Sequence, residues 1–545
     1  MAEPGRTRRN QADGGWRSQW SKWKPYASWL LIVAGSLLAT WLLLRENLDA
    51  KWWIQDDHRI QQCLGPDRKA SLGEFGELLA STELRKLGTY PRVRPSYHVL
   101  RTLETIAWDD SPRLWYAARM ILFAASFVLF WRALSRWIGV VAAGGVILYC
   151  LTYGFWGDIF CRLGPGETYC VPGTAMFVLA AAGLLRHTLL EVAPAWKTAA
   201  GYWLLLTVGA FVAMGSKESF LLLLLPTLAL LVLMIVKKRL GIMGAVCFGL
   251  IIAYGTFLIT FIVLGLRHTG RDVYMQEAGA GFRVSLIGPG LVQAFRDTVW
   301  CNGAAAVILV GALVLCRRHL RKLVRPLVQT AAILLCLLML YVSQFVFYGG
   351  DWPGRTPRYH FPGRLMQPLY WVALVVLAVK ILQAAGVKGQ VMLAVRVVAI
   401  EGLLLLVAFT GFAPLRDYCK ANARRSRGFT DTIDKLVQLL RREPDRPLLL
   451  VSHTSRDGEP AVSVQRFLAS RSVRNPIFLE LRWRKPPKYW TQQELRIHRT
   501  MARWSRNGEE GFGALGELPS GRRCFAIGLS DDVPTGQHEV LGRLW

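Results

Sequence analysis

The sequence predicts an α-helical polytopic membrane protein with a small C-terminal α/β domain. Three observations lead there. Hydrophobic residues make up 52% of the chain and the mean hydropathy is positive at +0.28. Apolar runs long enough to cross a bilayer recur between residues 28 and 412. Beyond residue 415 the pattern changes to short β-rich runs alternating with helical stretches.

Lipid cannot satisfy a bare backbone, so each spanning run must be helical. The runs lie near 28–44, 115–132, 138–156, 172–186, 199–215, 219–236, 242–265, 303–316, 326–348, 366–384 and 390–412, about eleven helices in all. Basic residues orient them. Arg132 and Arg136, Arg186 and Lys197, Lys237 to Arg239, Arg317 to Arg325, and Lys380 with Lys388 fall in connections on the same side as the Arg-rich tail, residues 1–27. That side is expected to be the cytoplasm of a multi-pass inner (plasma) membrane protein. Loops 45–114, 157–171, 265–301 and 349–365 then face outward, and an odd helix number sends residues 415–545 outward too. The first span follows a long basic tail without a small-residue cleavage site, and reads as an anchor that is retained. The transmembrane domain is thus expected over residues 28–414.

A formal charge of +29 suggests nucleic acid at first sight. Much of it lies in the tail and cytoplasmic loops, where orientation and anionic lipid account for it, so no nucleic-acid partner is expected. The ten cysteines form no CxxC or Cys/His spacing of a zinc site. Cys161 and Cys170 share one outward loop, where an oxidising compartment can join them; free cysteines near helix ends are the alternative. In the tail, PLLLVS (447–452), PIFLEL (476–481) and CFAIGL (524–529) alternate with helical stretches near 429–442, 460–470 and 491–507, the pattern of a mainly parallel sheet. No phosphate loop or nucleophile elbow occurs there, which favours a lid or docking role.

Candidate chemistry lies in three places. The first is the acidic pair Asp56 and Asp57, which opens a first outward loop rich in Trp, Tyr and Leu. That loop is expected to fold as amphipathic helices at the membrane surface. Solvated loop residues or a helix N-cap are the plainer reading of the pair. The same loop carries Arg94-Pro95-Ser96-Tyr97-His98. The second is Gly215-Ser216-Lys217-Glu218-Ser219, wedged between two apolar spans. Charges at such depth normally face a cavity or a partner; Lys217 and Glu218 can pair with each other, diverge, or snorkel to water. The third is the outward loop from Tyr348 to Arg364, which includes Arg358, Tyr359 and Arg364. Its Arg, Gly and Pro residues form a cationic rim suited to phosphate or pyrophosphate, or to lipid head groups.

An acidic pair after the first helix, a following Arg-Pro-x-Tyr, a Ser-Lys-Glu between central helices and an Arg-Tyr in a late outward loop together resemble the polyprenyl-phosphate-sugar-dependent membrane glycosyltransferases of the GT-C superfamily. Within it, the protein O-mannosyltransferases and the transmembrane, tetratricopeptide-bearing mannosyltransferases are nearest in flavour, though this chain lacks the repeats. The resemblance covers roughly residues 25–415. It implies inverting sugar transfer from a polyprenyl phosphate to a lipid, glycan or protein acceptor on the outer face. Asp56 would be the general base, with Asp57 second. Arg358 and Arg364, then Lys217 and Arg94, would neutralise the departing phosphate. Tyr97, His98 and Tyr359 would contact sugar or acceptor, and Glu218 would belong with Lys217 to the substrate- and phosphate-binding residues. No cofactor follows from the residues, although two adjacent carboxylates also suit a divalent cation. An O-antigen ligase or polymerase is the rival enzyme, one that relies on a late Arg- and His-rich loop and pyrophosphate-linked glycans. A transporter ranks third, because no internal repeat is evident and the polar residues cluster on one face.

Overall fold

The computed structural model describes residues 7–54, 57–64, 67–192, 194–269, 284–315, 320–347, 357–387, 410–454, 457–482, 492–518, 524–529 and 539–543, with isolated positions between 389 and 408. The protein is a polytopic helical membrane protein. Among the described residues, eight helical segments are long and apolar enough to cross a membrane. They belong to α1 (Thr7–Leu44), α5 (Pro112–Ile138), α8 (Glu167–Leu190), α9 (Trp196–Met214), α10 (Leu224–Val236) with the turn before it, α11 (Ile242–Thr269), α14 (Val324–Phe347) and α15 (Met366–Ala384).

Of the other three expected spans, one is a bent helix pair, one is broken and one lies mostly outside the described residues. The run 303–316 lies in α13 (Val299–Leu315), which meets α12 (Ile287–Asp297) at a 74° bend. The run 138–156 is not one span: α6 (Val140–Leu151) stops after three turns, and the chain breaks at Gly154 before the short, wholly buried α7 (Phe155–Phe160). Most of 390–412 lies outside the described residues.

The first loop holds α2 (Asp57–Cys63), α3 (Phe75–Ala80) and α4 (Pro95–Trp108). Proline at the start of α4 fits the helix N-terminus, where its missing N–H costs nothing. α8 and α9 are drawn together by small residues: a Cβ on Gly209 would lie 2.6 Å from the Gly173 carbonyl oxygen. That close approach fixes the start of α8 against the turn that follows α9.

Past the membrane, α16 (Ala413–Arg442) places Leu415, Cys419, Phe429, Ile433, Leu436 and Leu440 on one buried face. It leads into β1 (Leu448–Ser452), α17 (Gly458–Ser470), β2 (Ile477–Leu481), α18 (Gln492–Asn507), β3 (Phe525–Gly528) and β4 (Glu539–Arg543). The sheet order is β2-β1-β3-β4 and every pairing is parallel. The central β1 is buried at all five positions, as a strand covered on both faces must be.

The sheet is no detached appendage. Trp52 and Ile60 of the first loop and Trp115 and Tyr116 of α5 share one apolar core with Leu448, Leu450, Phe467 and Phe525. The His58 ring bonds the Ser463 hydroxyl at 3.0 Å. α2 therefore turns toward α17, where the sequence had suggested a helix lying on lipid.

Candidate functional site

Asp57 begins α2 and is buried. Its carboxylate accepts the Trp53 N–H at 2.9 Å, tying the start of the helix to residue 53. Asp56 lies outside the described residues. Around Asp57 runs a narrow crevice lined by Trp53, Ile54, Tyr116, Arg162, Gly164 and Asn422. Arg162 opens a line of alternating charges.

Arg162 donates to Asp158 at 3.1 Å. The Asp158 carboxylate also accepts the backbone N–H and Nη1 of Arg358 at 3.3 and 3.5 Å, and the Tyr418 hydroxyl at 3.3 Å. Arg358 Nε stands 3.7 Å from Glu167, and Glu167 is paired with Lys217. The Lys217 ammonium lies 4.4 Å from the centre of the Tyr359 ring. One residue on, Glu218 grips Arg94 through two 2.8 Å bonds.

The turn Gly215–Ser219 supplies both ends of this arrangement. α9 ends at Met214 and Lys217 is extended; successive side chains of an extended chain point opposite ways. Lys217 and Glu218 thus diverge to separate partners, Glu167 at the start of α8 and Arg94 in the first loop. Gly166 lets the start of α8 approach, since a Cβ there would sit 2.6 Å from the Ser216 carbonyl oxygen. The negative side chains raise the pKa of Arg358 against the opposing effect of its burial, so it stays a cation.

Of the residues singled out in the sequence, Asp57, Arg94, Lys217, Glu218, Arg358 and Tyr359 lie along or directly beside this line. Tyr97 frames it: its hydroxyl donates to the Gly164 carbonyl at 2.9 Å and its ring meets Tyr169 edge-on. Two residues lie off it. Arg364 faces Asp297 of α12 at 4.0 Å, because the chain passes through separate turns at 357–360 and 363–365. His98 turns to Glu83, 4.0 Å away, and burial pushes its pKa down to about 4, with Arg94, Arg59 and Arg92 acting in the same direction and Glu83 against it. It is neutral at physiological pH.

Asp158, Arg162, Glu167 and Tyr418 escaped the sequence reading. The signal was present: Asp158 and Arg162 are four apart, and Glu167 follows, in a short loop between apolar runs. The cysteine expectation also changes. Cys161 faces Cys419 of α16, Sγ to Sγ 2.9 Å, while Cys170 points to the Ala213 carbonyl. No group of three or more His, Cys, Asp or Glu converges among the described residues. Asp158 and Glu167 are each paired with basic side chains, a poor fit to a divalent cation.

Comparison of the chain with protein-family models, curated proteins and solved structures finds no match in any of the three.

Proposed function

We propose that this protein is a membrane glycosyltransferase that moves one sugar from a polyprenyl phosphate to an acceptor on the outer face of the membrane. The observation that carries the reading is the row Arg162, Asp158, Arg358, Glu167 and Lys217, which starts in the crevice of Asp57. A base from the first loop and cations from the span break and the late loop are what such a transfer requires within one site.

In this reading Asp56 removes the acceptor hydroxyl proton, and Asp57, whose carboxylate accepts the Trp53 N–H, is the second candidate. The acceptor oxygen bonds to the anomeric carbon as the bond from that carbon to the phosphate oxygen breaks. The configuration inverts, and the electron pair leaves with the phosphate. Arg358 and Lys217 receive that charge. Asp158 and Glu167 hold the two cations in place when the site is empty, because a buried cation without a partner is costly.

The shared core of first loop and sheet supports placing both on one side of the membrane. We place both outside, with the N-terminus in the cytoplasm.

The test is transfer by the purified, reconstituted chain. Asp56→Asn is expected to abolish transfer of a monosaccharide from polyprenyl monophosphate while expression and melting temperature stay unchanged. Full activity in that variant removes Asp56 from the mechanism. Turnover only of pyrophosphate-linked oligosaccharide selects the ligase reading, and flux without a glycosidic product selects transport.

A further inference from the structure

A second cavity, of about 460 Å³, lies between the first loop and the C-terminal domain. This is within the range of small-molecule sites. Four cations line it: Arg59 and Lys86 of the first loop, Arg101 of α4 and Arg466 of α17. One carboxylate, Glu83, stands on the wall against them. Arg59 and Arg92, at 3.2 and 3.6 Å, already share it. Arg466 reaches His58 at 2.9 Å and Glu510 at 3.5 Å.

Among the described residues, neither Lys86 nor Arg101 has a carboxylate within ion-pairing distance. Arg101 instead donates Nη1 to the Leu163 carbonyl and lies 4.9 Å from the centre of the Trp115 ring. Nearby tyrosines and Glu104 raise its pKa in spite of its burial, so it keeps its charge. Among the described residues the cavity wall thus carries four cations against one carboxylate, a positive excess focused in a concave space. Between the cations lie the hydroxyls of Ser81, Thr82, Thr102 and Thr105 and the ring of neutral His98.

We infer that this cavity binds the anionic head of a hydroxyl-rich molecule, a sugar or polyol bearing a phosphate or carboxylate. Guanidinium groups match such anions in geometry as well as charge, and the threonine and serine oxygens can accept from sugar hydroxyls. Tyr97 and Arg101 separate the cavity from the Asp57 crevice: the tyrosine lines the cavity and bonds Gly164 of the crevice, and the arginine bonds the adjoining Leu163. Resting on the transferase reading, the site is where a charged acceptor docks.

Calorimetry on the full chain in detergent, in phosphate-free buffer at pH 7.5, tests this with glucose 1-phosphate, glucuronate and glucose. Glucose 1-phosphate is expected to bind and glucose is not. Lys86→Gln combined with Arg466→Gln is expected to weaken binding at least tenfold with an unchanged melting temperature, and Arg101→Gln is expected to do the same where it folds. Glucuronate binding as tightly as glucose 1-phosphate widens the class to carboxylated sugars and supports the inference. Competition by phosphatidylglycerol nanodiscs, absent with phosphatidylcholine, assigns the same chemistry to a lipid head group; lack of competition assigns it to a glycan. Equal binding of glucose and glucose 1-phosphate, no binding at all, or binding untouched by the double substitution overturns it. Binding is read without donor, so a failure of the transferase reading leaves this result standing on its own.

Discussion

Arg94 and Glu218, from the first loop and the turn between two spans, hold each other through paired 2.8 Å bonds in a buried site. The fork-to-fork geometry makes this a strong pair, and removing one side leaves the other charge buried. Glu218→Gln is expected to cost about 3–5 kcal/mol of stability, read as a lowered melting temperature in detergent. Replacing both residues by apolar side chains of similar size is expected to recover much of the loss. An unchanged melting temperature in Glu218→Gln contradicts the assignment.

Gly166 gives a steric test of the same corner. Its missing Cβ makes room for the Ser216 carbonyl, which is backbone and cannot swing aside. Gly166→Ala is expected to cost about 1–3 kcal/mol and to disturb Lys217 beside it. Gly201→Ala, in a helix with nothing within 4 Å of the added atom, serves as the harmless control. Equal melting temperatures in the two variants contradict the close approach.

The cysteine pair makes a chemical prediction. Cys161 and Cys419 are buried and face each other; burial holds the Cys161 thiol well above its usual pKa. Incubation with 2,2′-dithiodipyridine is expected to join them, reducing the reagent to two thiopyridones as the protein disulfide forms. Mass spectrometry without reductant should recover a linked 161–419 peptide. A linked 161–170 peptide in its place contradicts the structure.

His98 sets a pH dependence. An unfolded histidine takes up its proton near pH 6.5, while the buried one does so only at about 4. Between these values the unfolded state binds more protons, so stability is full above pH 6.5 and falls as the pH drops toward 4. The slope is expected to flatten in His98→Gln, measured by thermal unfolding from pH 7.5 to 4.5. Identical pH profiles contradict the neutral, buried histidine.

The membrane character and most spans were legible because a transmembrane helix is a long apolar run, and the parallel sheet because buried strands such as LLLVS read as continuous apolar runs. The run 138–156 misled, since apolar content does not reveal the break at Gly154 that creates α7. Of the site, Lys217 and Glu218 stood out as charges between spans. Their partners did not: Glu167 and Arg94 are 50 and 124 residues away, and a single sequence carries no trace of which acid meets which base. Arg364 shared its sequence setting with Arg358 but faces Asp297, a distinction made only by the turns between them.

The central claim is that Arg358 belongs to a donor-phosphate site rather than to a purely structural ion network. The most direct measurement is steady-state transfer from a polyprenyl-monophosphate-linked hexose by the reconstituted wild type and Arg358→Lys, with melting temperatures in parallel. A fall in kcat/KM of about 100-fold is expected with the lysine variant still folded, because a point charge replaces a fork. Unchanged kcat/KM in a folded Arg358→Lys, or no use of the monophosphate donor by the wild type, would contradict it.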